Sequence, residues 1–256
     1  MRELLEAVAD GTLSVSQAEA ELRGYAQNGS GRFDAARERR SGVPEAVLAE
    51  GKTPSETAEM TVTSVETTAH ALVTRLDTDA LEACLCRLDE AFPAAAVDHD
   101  ARARTLVVHD DGYEPPSLDA TVGVVAAGTS DAAVAGEAAT VAREMGADVD
   151  RFDDVGVAGL ARLLDHLDEI RTADVLVVAA GREGALPTVV AGLVDAPVIG
   201  LPVSTGYGHA GGGEAALSGM LQSCTPITTV NIDAGFAAGA QAGLVARAVS
   251  NARRHS

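Results

Sequence analysis

Residues 200–224 read GLPVSTGYGHAGGGEAALSGMLQSC, and this stretch carries the pattern that decides the fold. An apolar run leads into a loop with five glycines between Gly206 and Gly213, and a helical pattern follows over residues 214–222. Glycine lacks a Cβ, so such a loop lets the backbone approach a ligand closely. The free N–H groups at the start of the following helix favour an anion. The stretch predicts a pocket for a phosphate-bearing ligand beside Cys224, or else a flexible loop followed by a buried small residue.

The second half of the chain alternates apolar strands with helical patterns. Strands are predicted at residues 121–127, 148–152, 174–180, 197–202 and 227–232. Strands that are apolar throughout and separated by helices indicate a parallel sheet covered on both faces. The predicted fold class is therefore α/β, with a three-layer, flavodoxin-like parallel-sheet domain over residues 115–256.

The first half predicts a smaller α/β domain with leading helices over residues 1–114. Residues 27–31 have the composition of a linker, and residues 33–39 predict an edge strand. Thr53 is a suitable cap and Pro54 a suitable first residue for a helix that runs to about residue 67.

Acidic residues dominate the charge of the chain. The formal net charge is −19, from 38 acidic and 19 basic residues, and Lys52 is the only lysine. The acidic residues are dispersed, which argues against binding to nucleic acid or to anionic lipid, because both need a basic face. A dispersed acidic surface is typical of proteins adapted to high salt, where counter-ions screen self-repulsion. The alternative is an ordinary acidic cytosolic protein.

Hydrophobic content and cysteine usage place the chain among soluble proteins. Hydrophobic residues make up 46% of the sequence, without an apolar run of membrane-spanning length or a secretory leader. The cysteines are Cys84, Cys86 and Cys224, and so sparse and odd a set is typical of a reducing compartment. Cys84 and Cys86 lie in a helical pattern and are predicted to be small helix residues rather than metal ligands. We expect a cytoplasmic protein that does not bind membranes.

A cluster of glycine, serine and acidic residues follows each predicted strand of the second half. These clusters are residues 128–131, 153–156, 181–184, 204–213 and 231–235. In parallel sheets, ligands bind beyond the carboxyl ends of the strands. The five loops therefore predict one shared pocket.

Three positions in these loops are candidates for chemistry, and each has a purely structural alternative. Ser130 and Asp131 either hold a phosphate or cap the following helix. Glu183 lies between glycines and is either a general acid/base or an exposed loop residue. Cys224 is either a soft nucleophile or a buried small residue, and its place after a helix gives no help from the helix dipole in ionising.

Several motifs together resemble one family. They are Gly128-Thr-Ser-Asp, Asp154-Val-Gly-Val-Ala-Gly, Gly184-Ala-Leu-Pro, Ser204-Thr-Gly-Tyr-Gly, Ser223-Cys and Asn231-Ile-Asp-Ala-Gly-Phe. In the first half, residues 34–45 and Glu50-Gly-Lys-Thr-Pro add to the resemblance. The sequence resembles the LarB family of nickel-pincer nucleotide cofactor biosynthesis. The C-terminal domain of that family is similar to the purine-pathway aminoimidazole ribonucleotide carboxylases and mutases.

The resemblance implies a carboxylase/hydrolase that acts on a small-molecule dinucleotide. Such proteins carboxylate the pyridinium ring of nicotinic acid adenine dinucleotide and hydrolyse its phosphoanhydride. The products are pyridinium-3,5-biscarboxylic acid mononucleotide and AMP. The resemblance further implies carbon dioxide or bicarbonate as co-substrate and no tightly bound cofactor. It allows Mg²⁺ at the diphosphate, although no cluster of metal ligands stands out in the sequence, and it implies a homo-oligomer, an octamer.

The resemblance also assigns roles to residues. Cys224 is expected to form a covalent adduct with the ring, Glu183 is expected to transfer the proton, and Asp131 completes the catalytic set. The expected substrate-binding residues are Gly128, Thr129, Ser130, Asp131, Asp154, Gly156, Arg182, Gly184, Ser204, Gly206, Tyr207, Gly208 and Asn231. Because the ligand is anionic and the chain acidic, Arg37, Arg40 and Arg182 are candidates for local positive potential.

The sequence departs from the purine enzymes at two places. They carry Ser-Ala-His-Arg where this chain has Val155-Gly-Val-Ala, and a histidine where it has Ala185. A purine carboxylase or mutase is therefore the second hypothesis, and the missing histidines speak against it. A third hypothesis is a nucleotide-binding regulator without catalytic activity. Within the LarB-like pattern, Ala35 and Ala36 replace a common pair of histidines, and His209 replaces a small residue.

Overall fold

A computed structural model describes residues 2–206 and 208–255. The chain divides into two compact units, Met1–Glu114 and Pro115–Ser256. Among the described residues, no helix combines the length and apolar character needed to cross a membrane.

The first unit combines helices with a four-stranded sheet and a separate hairpin. Its elements are α1 Arg2–Ala9, α2 Val15–Arg23, β1 Ala26–Asn28, β2 Gly31–Phe33, α3 Arg37–Ser41, β3 Val47–Leu48, α4 Pro54–Thr68, β4 His70–Thr74, α5 Thr78–Ala91, β5 Ala96–Asp100 and β6 Thr105–His109. The sheet has the order β3-β4-β6-β5, in which β3 is parallel to β4 and the other pairs are antiparallel. Cys84, on α5, is buried, whereas Cys86 is exposed.

Two predictions for this unit are wrong. Residues 27–31 are not a linker, because they form the turn of the β1–β2 hairpin. The side-chain oxygen of Asn28 accepts hydrogen bonds from the backbone N–H groups of Ser30 and Gly31, at 2.9 Å each, and so closes that turn. The predicted strand at residues 33–39 ends at Phe33, since the Arg37 N–H bonds back to the Asp34 carbonyl and α3 follows.

The second unit is a parallel sheet with helices between its strands. Its elements are β7 Thr121–Ala126, α6 Ala132–Glu144, β8 Asp148–Phe152, a 3-10 turn Val157–Gly159, α7 Leu160–Asp165, α8 Leu167–Ile170, β9 Val175–Ala180, α9 Ala185–Ala191, β10 Val198–Pro202, α10 Glu214–Leu221, β11 Ile227–Thr229 and α11 Gly235–Arg254. The strand order is β11-β10-β9-β7-β8, and all pairs are parallel.

Buried side chains fill both faces of this sheet. On one face, α6 and α11 cover alternate strand residues such as Val124 and Val177. On the other face, the helices between β8 and β11 cover residues such as Leu176 and Val178. The three-layer α/β fold predicted from the apolar strands is thereby confirmed.

One predicted helix of this unit is interrupted. The sequence favours a single helix over residues 159–171 with five apolar side chains on one face. In the structure a 3-10 turn precedes α7, and His166 separates α7 from α8. Leu163 and Ile170 are buried, whereas Leu160 and Leu164 are exposed.

Candidate functional site

A cavity of about 260 Å³ lies where the loops after β7, β8, β9 and β10 converge. These loops all follow the carboxyl ends of parallel strands, the edge at which such sheets bind ligands. The lining residues are Ala127, Gly128, Ser130, Asp131, Gly156, Val157, Ala158, Arg162, Ala180, Gly181, Arg182, Glu183, Gly184, Leu186, Thr205 and Gly206. Four of the five strand-end loops predicted to share a pocket therefore line this cavity, whereas the loop of residues 231–235 does not.

Asp131 is the buried carboxyl of this cavity, with 4% of its surface exposed. One oxygen accepts a hydrogen bond from the Gly128 N–H at 2.9 Å, and the other accepts one from the Thr205 hydroxyl at 3.3 Å. Burial raises the pKa of the Asp131 carboxyl, and these hydrogen bonds offset part of the rise. Asp131 thus joins the loop after β7 to the loop after β10. Glu183, the second carboxylate of the cavity, is exposed.

Close backbone contacts fix the loops that form the cavity walls. A Cβ at Gly206 would lie 2.1 Å from the carbonyl oxygen of Gly181, so only glycine fits between the loops after β9 and β10. Gly184 has a φ of +67° and packs on α10, where a Cβ would lie 2.4 Å from the Ala216 carbonyl oxygen. The glycines therefore serve close loop packing as well as access for a ligand.

Two arginines, Arg162 and Arg182, line the cavity. Arg162 lies on α7, and its guanidinium Nη1 is 2.5 Å from Oδ2 of Asp154. The other predicted cations, Arg37 and Arg40, lie in the first unit and pair with Glu45 and Asp34. The sequence motifs did not identify Arg162, because it lies on the helix that follows the loop rather than in the loop itself. A basic residue on the short helix directly after a strand-end loop is the signal that could have found it.

Most of the predicted site residues line the cavity. The lining includes Gly128, Ser130, Asp131, Gly156, Arg182, Glu183, Gly184 and Gly206. Of the other predicted residues that the structure describes, those that do not line it are Thr129, Asp154, Ser204, Gly208, Cys224 and Asn231. Tyr207 lies outside the described residues.

Ser204 and Asp154 are nevertheless tied to the loops of the cavity. The Ser204 N–H donates a hydrogen bond to Asp233 Oδ1 at 2.8 Å, which connects the loop after β10 to the loop after β11. Asp154 forms an ion pair with Arg162, which lines the cavity.

Comparison with known proteins decides the family. Residues 25–110 match the model of the LarB/PurE-like N-terminal domain, and residues 121–256 match that of AIR carboxylase. The chain belongs to the LarB-like proteins. It is also 38% identical to a protein of Methanocaldococcus jannaschii that is described as uncharacterized. The alignment of 258 residues covers 96% of this chain and 97% of that protein. A LarB-like N-terminal domain joined to an AIR carboxylase domain supports a carboxylase-type enzyme.

In this LarB-like chain, Cys224 lies outside the cavity lining. It is exposed, in the connection from α10 to β11, so the alternative of a buried small residue is wrong. Ile227, the first residue of β11, pairs with Val198, the first residue of β10, whereas the cavity lies beyond the last residues of the strands. The neighbouring Ser223 bonds to the hydroxyl of Thr188 on α9 at 2.9 Å. The structure therefore brings Glu183 and Asp131 to the cavity but does not bring Cys224 there.

The buried carboxyl of this LarB-like site predicts a pH-dependent effect of Asp131→Asn. The pKa of the Asp131 carboxyl is higher in the folded state than its value of 3.8 in the unfolded chain. The wild-type carboxyl therefore contributes most to stability below pH 3.8, and this contribution is lost as the pH rises through the folded-state pKa. The variant has no such loss. We expect its free energy of unfolding, relative to wild type, to increase with pH above about 4 and then level off. Denaturant titrations between pH 4 and 8 measure this difference, and a constant or decreasing difference would contradict the role of burial.

Proposed function

We propose that the chain carboxylates the pyridinium ring of nicotinic acid adenine dinucleotide and hydrolyses its phosphoanhydride, giving pyridinium-3,5-biscarboxylic acid mononucleotide and AMP. The observation that supports this most is the single cavity in which Asp131, Glu183 and two arginines meet at the sheet edge of a LarB-like chain. The Gly128–Asp131 turn leads into α6, a helix of 13 residues. The N-terminus of this helix favours an anionic group of the ligand.

The carboxylation proceeds through a covalent adduct. The Cys224 thiolate adds to a ring carbon, and the electron pair displaced within the ring makes a neighbouring carbon nucleophilic. That carbon attacks carbon dioxide and forms the new carbon–carbon bond. Glu183 removes the proton from the carboxylated carbon, and departure of the thiolate restores the aromatic ring. In the net change, a ring hydrogen is replaced by a carboxylate and one proton is released.

The phosphoanhydride is cleaved by water, which adds to one phosphorus while AMP leaves. The arginines of the cavity counter the negative charge of the diphosphate. Mg²⁺ would be held mainly by phosphate oxygens and water. Of the carboxylates lining the cavity, Glu183 is exposed, whereas Asp131 already accepts two hydrogen bonds.

Cys224 acts from a neighbouring copy of the chain in this proposal. The cavity of about 260 Å³ is smaller than the roughly 300–1,000 Å³ of most sites for drug-sized ligands, so a dinucleotide extends beyond it. Cys224 is exposed and outside the lining, which leaves its thiol available to the cavity of another subunit. A closed homo-oligomer, an octamer in this proposal, provides such shared sites.

Release of AMP by the purified protein tests the proposed reaction. The net charge of −19 makes molar potassium chloride the suitable medium. With nicotinic acid adenine dinucleotide, bicarbonate and Mg²⁺, chromatography should show AMP and the dicarboxylated mononucleotide in equal amounts. Aminoimidazole ribonucleotide with bicarbonate is the comparison substrate, and turnover of that compound alone would favour the purine reaction. Binding of the dinucleotide without turnover would favour a regulator.

A further inference from the structure

The wall of the cavity formed by α7 contains one ion pair, Arg162 with Asp154. The guanidinium Nη1 lies 2.5 Å from the carboxylate Oδ2, and the two side chains are 46% and 54% exposed. Arg162 lines the cavity, whereas Asp154 does not. Exposed ion pairs contribute little to stability, so an anion of higher charge can take the place of Asp154 at low cost.

The residue that pairs with this guanidinium has an unusual backbone conformation. Asp154 has a φ of +60°, the left-handed conformation that aspartate and asparagine tolerate better than most residues. Gly159 lies beside the arginine, because a Cβ there would lie 2.9 Å from Arg162 Nε, a contact that the flexible side chain can relieve. The left-handed backbone of Asp154 is therefore the specific feature of this loop that accompanies the ion pair.

The charges of the cavity give this side chain a role. The loop after β8, residues 153–156, contains two aspartates and no basic residue. Arg151 at the end of β8 pairs with Asp153, whereas Arg162 lines the cavity. The cavity also contains the carboxyl groups of Asp131 and Glu183, which oppose the entry of an anion. A phosphate group can replace Asp154 as the partner of Arg162. The guanidinium then donates two charge-assisted hydrogen bonds to the phosphate oxygens.

We propose that Arg162 binds a phosphate group of the ligand, and that Asp154 is the resident partner of the guanidinium with which that phosphate competes. This assignment rests on the proposed function for the identity of the ligand, but it requires only binding and no turnover. Asp154, predicted from the sequence to bind substrate, then acts only on Arg162, as the carboxylate that the phosphate displaces.

Titration calorimetry with nicotinic acid adenine dinucleotide and with AMP tests the assignment in the full-length protein. Arg162→Gln is expected to raise Kd about 10- to 100-fold for both ligands, the usual range for loss of a charge-assisted hydrogen bond. Arg162→Lys keeps the positive charge but cannot form the bidentate pair, so its Kd should lie between those of Arg162→Gln and wild type. Arg143→Gln is the matched control, because Arg143 is exposed on α6 and outside the cavity lining, and its Kd should stay within twofold of wild type.

The competing role of Asp154 has its own readout. Asp154→Asn keeps a residue suited to the left-handed backbone and should lower Kd about threefold, since removal of the carboxylate frees the guanidinium. In the Arg162→Gln background, the same change should alter Kd less than twofold.

Three outcomes would overturn the proposal. They are an Arg162→Gln protein that binds as tightly as wild type, an Asp154→Asn effect that persists without Arg162, and a wild-type protein that binds neither ligand. Binding that depends on Arg162 in a protein without turnover would instead refute the proposed function and leave this assignment standing.

Discussion

Cys224→Ala is expected to lower the rate of dinucleotide carboxylation by at least about 10³-fold, because the thiolate is the group that makes the ring nucleophilic. The variant should remain folded, since Cys224 is exposed and its removal leaves no cavity in the core. Product formation, measured by mass spectrometry at saturating substrate, gives the rate. The Kd of the dinucleotide should change less than tenfold, because the cavity itself is intact.

Cys86→Ala is the matched control for this variant. Cys86 is also exposed, but it lies on α5 of the first unit. The carboxylation rate of Cys86→Ala should therefore equal that of wild type. Full activity of Cys224→Ala would contradict the covalent mechanism. Equal losses in both variants would indicate a general effect of removing a thiol rather than a role in catalysis.

A mixture of subunits tests whether Cys224 serves a neighbouring copy. Cys224→Ala and Glu183→Gln chains, each inactive alone, are unfolded together and refolded at equal amounts. With a site shared between two subunits, about a quarter of the sites contain both intact side chains, and activity returns to that extent. No recovery would contradict the shared site, because a site within one chain is always missing one of the two groups.

Gly206→Ala is expected to lower the free energy of unfolding by about 1–3 kcal/mol, the usual cost of forcing extra atoms into a packed site, and to weaken ligand binding more than tenfold. The added Cβ would lie 2.1 Å from the Gly181 carbonyl oxygen and 3.3 Å from the Arg182 Cα. Both are backbone atoms, so a loop has to move. That movement displaces Arg182 and Thr205, which line the cavity on either side of the contact.

Gly192→Ala provides the control for this variant. Gly192 follows α9 with a φ of −81°, and its new Cβ would meet the Val189 carbonyl oxygen at an ordinary 3.4 Å. Its stability should lie within about 0.5 kcal/mol of wild type. Denaturant titration and calorimetry measure both variants. A Gly206→Ala protein as stable and as strongly binding as Gly192→Ala would show that the two loops do not need their close contact.

The sequence was sufficient to predict the sheet edge that forms the cavity, because alternation of strands and helices places all strand ends of a parallel sheet together. The same alternation places Cys224 at the opposite edge, because a connection from a helix to the next parallel strand lies at the amino ends of the strands. Contacts such as that of Met220 with Gly200 hold α10 along the sheet, which leads the chain away from the cavity before Cys224. The proximity of the motifs in the sequence alone does not reveal this separation.

Other side-chain positions also depended on packing. Arg162 lies on a segment whose apolar pattern predicts one amphipathic helix, and that pattern does not predict that its side chain lines the cavity. On the same helix, Leu160 and Leu164 are exposed although the pattern places them on the apolar face. Glu183 and Asp131 show the converse, because the sequence identified both carboxylates but not that Asp131 is the buried one. Burial arises from the contact of two loops distant in sequence.

Carboxylation of the dinucleotide at this cavity is tested most directly with ¹³C-bicarbonate. The purified protein is incubated in molar potassium chloride with nicotinic acid adenine dinucleotide, Mg²⁺ and the labelled bicarbonate. The masses and amounts of the products are then measured by mass spectrometry. We expect one ¹³C atom in each molecule of mononucleotide, none in AMP, and equal amounts of the two products. AMP released beside an unlabelled mononucleotide, or no product from either half of the dinucleotide, would contradict the proposed carboxylation.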